Sequence, residues 1–210
     1  MQLEHWKKAW EANNIGFHKR KPHKLLLTHY SSLNLKAGSR IFLPLCGKTL
    51  DIAWLMSLGH HVVGVEISEL AIQQLFQELE IKPNITQTGS LIHYRAPHID
   101  IFVSDIFDLK QGHVGEIHAI YDRAALVALP EDIRTRYAQQ VTELSNRAPQ
   151  LLITFDYDQH LKQGPPFSVP ETEITRLYKH DYTFELLERI VVPGGIGGSV
   201  EASEDIWLLT

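Results

Sequence analysis

The sequence predicts an α/β fold, with a mostly parallel sheet and helices on both of its faces. Short apolar segments alternate along the chain with amphipathic segments of helical period, which is the pattern of strand–helix–strand units. The segment at 60–68 is apolar throughout its centre, as expected for a strand that helices cover on both faces. A late pair of strand-like segments, joined by the glycine-rich stretch "PGGIGGS", indicates an antiparallel edge.

Helical period and capping residues define the expected helices. The spacing of apolar residues predicts helices at 3–12, 19–32, 48–59, from Ser68 onwards and at 131–146. Gly59 stands where a C-terminal cap belongs. The Ser68 side chain can accept an N–H group that the first turn of the following helix leaves unpaired.

The expected strands lie between these helices and after them. They are residues 41–45, 60–68, 100–105, 116–122, 150–158, 182–192 and 201–209. In a sheet of this kind, ligands bind outside the carboxyl ends of the parallel strands. Those ends are Leu45–Gly47, Glu66, Ser104–Asp105, Asp122–Arg123 and Asp156.

Size and composition limit the possible functions. The chain has 210 residues, of which 44% are hydrophobic, so we expect one domain spanning 1–210. Its net charge of -5 predicts no general attraction to nucleic acid or to acidic membranes. Cys46 is the single cysteine, which excludes an intrachain disulfide and suits a reducing compartment. We see no signal-peptide pattern and no apolar run near the roughly 20 residues that cross a bilayer, so we expect a soluble cytoplasmic protein.

The stretch "FLPLCGKTLD" contains Gly47-Lys48-Thr49, the end of a phosphate-binding P-loop motif. A P-loop needs another glycine five positions earlier, where the chain wraps a phosphate with backbone N–H groups. Phe42 occupies that position and lies within the apolar strand. We therefore expect no hydrolysis of nucleoside triphosphates, and we expect Lys48 to lie outside the functional site.

Glu66 gives the same loop a different interpretation. It ends the second strand about twenty residues after the glycine loop, where an acidic side chain accepts hydrogen bonds from the two hydroxyls of a ribose. The missing second and third glycines argue against NAD, whose pyrophosphate needs close backbone approach. An adenosine-containing cofactor without phosphate remains, and S-adenosylmethionine is one. Taken alone, Glu66 is equally compatible with an exposed carboxylate at a strand end.

Two further strand ends carry candidate residues. Asp105 and Ile106 follow the third strand, where a carboxylate can bind the edge of an adenine and an apolar side chain can cover its face. Asp122 and Arg123 end the fourth strand, over the expected site. A buried Asp–Arg pair can also be purely structural, because ion pairs commonly fill strand ends.

Taken together, these motifs resemble those of the thiopurine S-methyltransferases, over nearly the whole chain. The resemblance rests on "WKKAW" with "GFH", "FLPLCGKTLDIAWL", "GHHVVGVEIS", "SDIFDL", "YDRAALVAL" and "GPPFSVP", and it looks like the bacterial branch of the family. It implies a Rossmann-like, seven-stranded fold that binds S-adenosylmethionine and releases S-adenosylhomocysteine. It also implies that residues 1–32 form a helical lid segment and residues 33–210 the Rossmann-like core.

The resemblance also implies roles for particular residues. The implied cofactor-binding residues are Trp6, Trp10, Leu45, Gly47, Glu66, Asp105, Ile106 and Arg123. Phe17 matches an aromatic residue that lines the acceptor pocket, and Arg123 matches an arginine shared by the cofactor and acceptor sites. We expect Asp122 to orient Arg123, so these two form the expected catalytic pair. The chain departs from the human-type pattern at Asp105, where that pattern has Ser, and at Ala124, where it has Gly.

The implied reaction is methylation of a thiol. Aromatic and heterocyclic thiols are the expected acceptors, and the bacterial family also suggests selenium or tellurium compounds. Such a sulfur is already substantially ionised near neutral pH, so position and desolvation can carry most of the acceleration. Arg123 can stabilise the thiolate, while Trp6 and Trp10 can face the cofactor's cation.

Several alternatives compete with this hypothesis. They are a dehydrogenase, a methyltransferase for small molecules other than thiols, and a resistance protein that binds an adenosine cofactor without an acceptor pocket. Trp6 and Trp10 are also compatible with a helix that simply packs on the core. The histidines are scattered and the chain has no Cys/His cluster, so we expect no metal site. No heptad pattern indicates an obligate dimer, and we expect a monomer without nucleic-acid or membrane partners.

Overall fold

The computed structural model of the protein describes residues 3–210 and centres on one sheet of nine strands. The strands are β1 (Arg40–Leu43), β2 (His61–Glu66), β3 (Asn84–Thr88), β4 (Leu91–Ala96), β5 (Ile99–Val103), β6 (Ala119–Arg123), β7 (Gln150–Tyr157), β8 (Phe184–Val191) and β9 (Ala202–Leu209). The helices are α1 (Leu3–Glu11), α2 (Lys24–His29), α3 (Asp51–Ser57), α4 (Glu69–Glu78), α5 (Gln111–Val114), α6 (Glu131–Ser145) and α7 (Glu171–Tyr178). Short 3₁₀ turns lie at Tyr30–Leu33, Ile106–Asp108 and Leu126–Ala128.

The strand order is β3-β4-β5-β2-β1-β6-β7-β9-β8. The five strands from β5 to β7 run parallel, and antiparallel strands extend the sheet on both sides. The α/β class and the antiparallel edge at β8 and β9 are confirmed. The sheet has nine strands rather than the expected seven, and only its centre is parallel.

The β3–β4 hairpin accounts for the two additional strands. All five residues of β3 are exposed, and β4 has only one fully buried residue, Tyr94. An alternating apolar pattern appears only in strands that bury one face, so the sequence of this hairpin shows no such pattern. Pairing of β4 with β5 holds the hairpin at the edge of the sheet.

Two expected helices are shorter than their apolar pattern. α2 begins at Lys24 and not at residue 19, because Pro22 disfavours helical geometry in the residue before it. α3 begins at Asp51, because the loop after β1 uses the preceding residues. The capping predictions are confirmed. The Ser68 hydroxyl accepts the Ala71 N–H at 3.3 Å, and Gly59 has φ +83° directly after α3.

The core has one apolar layer on each face of the sheet. On one face, α2, α3 and α4 pack against the side chains of Ile41 and Leu43. On the other face, α5, α6 and α7 pack against Phe42. This division follows from strand geometry, since successive side chains of β1 point to opposite faces. Among the helices of residues 3–210, none is long and apolar enough to cross a bilayer.

Candidate active site

A cavity of about 1090 Å³ opens at the carboxyl ends of the parallel strands. Its walls come from α1 and the chain up to Lys19, the loop after β1, the ends of β2 and β6, and two later loops. The expected site residues that line it are Trp6, Trp10, Phe17, Leu45, Gly47, Glu66 and Arg123. The structure therefore brings together residues that are far apart in sequence, at the place that the sheet topology predicts.

The loop after β1 is held in an unusual backbone conformation. Leu45 has φ +47° and Gly47 has φ +52°, in the left-handed region that costs most residues energy. The Cys46 N–H donates to the Val65 carbonyl at 2.9 Å and ties the loop to β2. A Cβ atom on Gly47 would lie 2.9 Å from Cζ2 of Trp10, closer than side-chain carbons normally approach. Glycine at this position therefore allows both the turn and the packing of Trp10.

The Glu66 carboxylate is the anchor of this loop. Its Oε2 accepts the Gly47 N–H at 2.9 Å, and its Oε1 accepts the N–H groups of Ile67 and Ser68, each at 2.9 Å. Burial raises the pKa of Glu66, and the three backbone donors oppose that rise. Because Glu66 also lines the cavity, one carboxylate both shapes the loop and forms part of the cavity wall.

Three aromatic side chains cover the cavity from the N-terminal side. Trp6 and Trp10 lie one turn apart on α1, and their ring centroids are 5.7 and 5.4 Å from that of Phe17, both in edge-to-face geometry. Trp10 is buried, with 4% of its surface exposed, whereas Trp6 and Phe17 are half-buried. Aromatic pairs at these distances add about 0.5–1.5 kcal/mol beyond the area they bury, which helps to hold Trp6 and Trp10 against Phe17.

Arg123 connects this cover to the sheet. Its Nη2 donates to the Phe17 carbonyl at 2.9 Å, across 106 residues of chain. The next residue, Ala124, has φ +59°, a left-handed conformation that is strained for alanine. Arg123 thus lies in the cavity wall where the aromatic cover meets the end of β6.

Asp122 does not line the cavity with Arg123. It is completely buried on the α6 side, where its Oδ2 accepts the Tyr137 hydroxyl at 2.6 Å and its Oδ1 accepts the Leu126 N–H at 3.1 Å. Burial raises the pKa of Asp122 to about 6. Within residues 3–210 no ion pair joins Asp122 to Arg123, so the expected contact is wrong in this structure. The reason is the strand period, which points adjacent side chains to opposite faces.

Asp105 and Ile106 lie beside the cavity and not in its wall. The Asp105 Oδ1 accepts the Phe107 N–H at 3.1 Å and caps a short 3₁₀ turn, while Ile106 is buried in the apolar core. The segment is nevertheless adjacent to Glu66, because the Ser104 N–H donates to the Glu66 carbonyl at 3.0 Å.

Lys48 lies in the cavity wall, contrary to the expectation that it stays outside the site. Its ammonium group is nevertheless paired with a carboxylate of the protein. Nζ lies 2.6 Å from Oε1 of Glu78 on α4. The P-loop interpretation of Gly47-Lys48-Thr49 gains nothing from this geometry.

Sequence reasoning missed several parts of the wall that come from late in the chain. Lys162, Pro165 and Pro166 reach the cavity from one loop, and residues 193–197 reach it from the turn between β8 and β9. The two loops touch, since a Cβ atom on Gly197 would lie 2.7 Å from Nζ of Lys162. The "GPPFSVP" stretch offered a signal for the first loop, but nothing local indicated that the glycine-rich turn reaches the same cavity.

Comparison with known proteins decides the family. The family model described as thiopurine S-methyltransferase matches residues 1–194. The chain belongs to the thiopurine S-methyltransferase family. It is 48% identical over 210 residues to the thiopurine S-methyltransferase of Teredinibacter turnerae, covering 100% of this chain and 98% of the relative. It is 46% identical over 210 residues to that of Xanthobacter autotrophicus, covering 100% and 99%.

Solved structures agree on the fold of this family member. A 1,6-didemethyltoxoflavin-N1-methyltransferase of Burkholderia thailandensis with bound S-adenosylhomocysteine superposes with a TM-score of 0.67 at 14% identity, covering 99% of this chain and 87% of that one. The magnesium protoporphyrin IX methyltransferase of Synechocystis gives a TM-score of 0.59 at 12% identity, covering 99% of each chain. The fold and the family membership together make the chain an S-adenosylmethionine-dependent methyltransferase.

The residues present fit this cofactor. Gly47 contributes backbone without side-chain bulk to the cavity wall, and Glu66 contributes an acidic side chain to it. When bound, S-adenosylmethionine supplies a methyl group on a positively charged sulfur. Trp6 and Trp10 add aromatic rings to the same wall, and the face of an aromatic ring attracts such a charge.

Proposed function

We propose that this methyltransferase methylates the sulfur of thiopurines and of other aromatic or heterocyclic thiols. The observation that carries the proposal is the shared cavity, in which the Gly47–Glu66 side meets an aromatic and apolar side bearing Arg123. A flat heterocycle fits next to Phe17, and a sulfur that carries negative charge fits next to a guanidinium. The names of the bacterial relatives support the same acceptor class.

The proposal divides the cavity between cofactor and acceptor. Leu45, Gly47 and Glu66 hold the ribose and amino-acid part of the cofactor, under Trp6 and Trp10. Asp105 and Ile106 are assigned to the adenine although neither lines the cavity wall, because the Ser104–Glu66 backbone contact keeps the ends of β5 and β2 side by side.

On the acceptor side, Phe17 and Arg123 do the positioning. The neighbouring wall contains Val127, Ile153 and Phe155, which exclude water from the reacting sulfur. Well-oriented partners reach effective molarities of roughly 10⁵–10⁸ M, so orientation and desolvation together account for most of the acceleration. Asp122 acts at a distance, because its contact with Leu126 holds the turn that follows Arg123.

The N-terminal segment is proposed to act as a lid. α1 carries Trp6 and Trp10 over the cavity and contacts α4, whereas α2 buries Leu25 and Leu26 in the core. The movable part would therefore be the segment before α2. We also propose that the protein works in the cytoplasm as a monomer without nucleic acid, in keeping with its single cysteine and its net charge of -5.

Mass spectrometry of reaction products tests the function. The purified protein is incubated with isotopically labelled S-adenosylmethionine and a panel of thiopurines, thiophenols, selenium and tellurium compounds, and matched phenols and amines. Labelled methyl thioethers from the thiols would support the proposal. Methylation of only the phenols or amines would instead identify a methyltransferase for other small molecules, and cofactor binding without any product would identify a binding or resistance protein.

A further inference from the structure

His18 lies in the cavity wall, directly after Phe17. Its N–H donates to the Ile15 carbonyl at 2.8 Å, and the adjacent Phe17 carbonyl accepts from Arg123 at 2.9 Å. Both contacts hold the peptide group that joins Phe17 to His18. Its imidazole is half-buried, and across residues 3–210 no hydrogen bond engages either ring nitrogen. Among the described residues, the two ring nitrogens are therefore not committed to another protein group and remain available to a ligand in the cavity.

We propose that the His18 imidazole accepts the proton that a weakly acidic thiol loses when its sulfur is methylated. This inference rests on the proposed S-methylation. The proposal adds a general base to the site. Acceptors that are already ionised do not need such a base. For a thiol that is still protonated at the working pH, a positioned base typically contributes about 10²- to 10⁴-fold.

The other groups in the cavity wall are poorly suited to this task. The Glu66 oxygens already accept three backbone N–H groups, and Glu204 Oε1 lies 3.2 Å from Nε2 of His23. Burial raises the pKa of the Cys46 thiol well above its usual value, and the nearby Glu66 charge adds to the effect. His5 is exposed on α1, and its ring packs edge-to-face on Trp6 with the ring centroids 5.2 Å apart.

The surroundings of His18 favour its neutral form, which is the form that can accept a proton. Burial lowers the pKa of the imidazole, and the positive charges of Lys48 and Arg123 lower it further. Glu78 opposes this effect, but it is paired with Lys48 at 2.6 Å. At pH 7 the imidazole is therefore mostly neutral, and once protonated it readily passes the proton to water because the side chain is not fully enclosed.

The atoms and charges balance without another reactant. The acceptor sulfur forms a bond to the methyl carbon as the bond from that carbon to the sulfonium breaks, and the electron pair of the broken bond neutralises the sulfonium. The acceptor's S–H proton passes to a ring nitrogen of His18 and then to solvent. The products are the methyl thioether, S-adenosylhomocysteine and one proton.

Two aromatic thiols of different acidity test the role of His18. One is a thiophenol that carries electron-withdrawing groups and is fully ionised at pH 7, whereas the other is an arylmethyl thiol, which is mostly protonated at that pH. We expect His18→Gln to lower kcat for the protonated thiol about 100-fold and to change kcat for the ionised thiol less than threefold. His180→Gln is the matched control, because His180 is exposed on the surface and lies outside the cavity wall.

The pH profile gives a second, independent signature. With the protonated thiol, the wild-type rate should be flat between the pKa of His18, which burial and nearby positive charge lower from its usual value, and the pKa of the thiol. The rate of His18→Gln should instead rise about tenfold per pH unit up to the pKa of the thiol, since only free thiolate then reacts. NMR titration of the wild-type protein should place the His18 pKa below 6.5.

Two results would overturn the inference. One is an equal loss of kcat for both thiols, which would indicate a structural role. The other is a wild-type rate that depends on the concentration of thiolate alone. This measurement uses only the wild-type protein, so it still decides the question if His18→Gln fails to fold. Absence of methylation of any thiol by the wild-type protein would contradict the proposed function itself, which keeps the two failures distinct.

Discussion

Replacement of Glu66 by glutamine tests whether one carboxylate holds the loop after β1. The two Glu66 oxygens accept three backbone N–H groups at 2.9 Å. An amide has only one oxygen, so its NH₂ group must face at least one of these donors. The less damaging orientation keeps the oxygen on Ile67 and Ser68 and turns the NH₂ group toward the Gly47 N–H.

The expected cost follows from that count. One hydrogen bond to a charged acceptor is lost, which costs about 1.5–3 kcal/mol, and two donors now face each other. For a chain of 210 residues, 1 kcal/mol corresponds to about 2–4 °C in Tm, so we expect Glu66→Gln to lower Tm by about 3–12 °C. Glu66→Gln should also bind S-adenosylhomocysteine more weakly, because the glycine loop and the ribose ligand change together.

Thermal unfolding without cofactor and calorimetric titration with S-adenosylhomocysteine separate the two effects. Glu188→Gln is a suitable control, since that carboxylate accepts from His29 at 2.6 Å and does not line the cavity. An unchanged Tm for Glu66→Gln would refute the argument that the carboxylate anchors the loop. An unchanged affinity would remove Glu66 from the cofactor site.

Three further predictions follow from the geometry. Gly47→Ala should lower the free energy of unfolding by about 1–2 kcal/mol, because the backbone there is left-handed, and it should also displace Trp10. Denaturant unfolding and Trp fluorescence measure the two effects, and wild-type values in both would contradict the packing described. The raised pKa of Asp122 makes the folded state bind a proton more tightly than the unfolded state does. The free energy of unfolding of the wild type should therefore fall by up to about 3 kcal/mol, relative to that of Asp122→Asn, as the pH rises from 4 through 6. If the free energies of unfolding of the two proteins change in parallel with pH, Asp122 does not titrate in this way. When S-adenosylhomocysteine binds, hydrogen exchange should slow more in residues 3–20 than in α6, and Trp10→Ala should abolish most of this difference. Equal exchange rates in residues 3–20 with and without the ligand would show that α1 is a fixed part of the core.

The central sheet was predictable because its signals are local. A strand buried on both faces must be apolar, as at residues 60–68, and a helix start needs a capping side chain such as Ser68. The candidate site was partly predictable for the same reason. Parallel strands bring their carboxyl ends to one edge, so Gly47, Glu66 and Arg123 had to lie near one another.

Contacts between distant segments were not predictable in this way. The β3–β4 hairpin has too few buried residues to show an apolar pattern, and it is placed by its hydrogen bonds to β5. The side of the sheet to which Asp122 points depends on the register of β6, which pairs with both β1 and β7. A one-residue change of register would exchange the positions of Asp122 and Arg123, so only the assembled sheet decides which of them reaches the cavity.

The sequence by itself therefore determined the α/β class, the parallel centre of the sheet, the absence of a P-loop glycine at Phe42 and the acidic strand end at Glu66. These features depend on the period and the residue type within short segments. Only the tertiary structure decided that the Glu66 oxygens hold the glycine loop, that Asp122 is turned away from Arg123, and that His18 and Lys162 share one cavity. The physical reason is that a hydrogen bond or a cavity wall depends on where segments far apart in the chain come to lie once the core is packed.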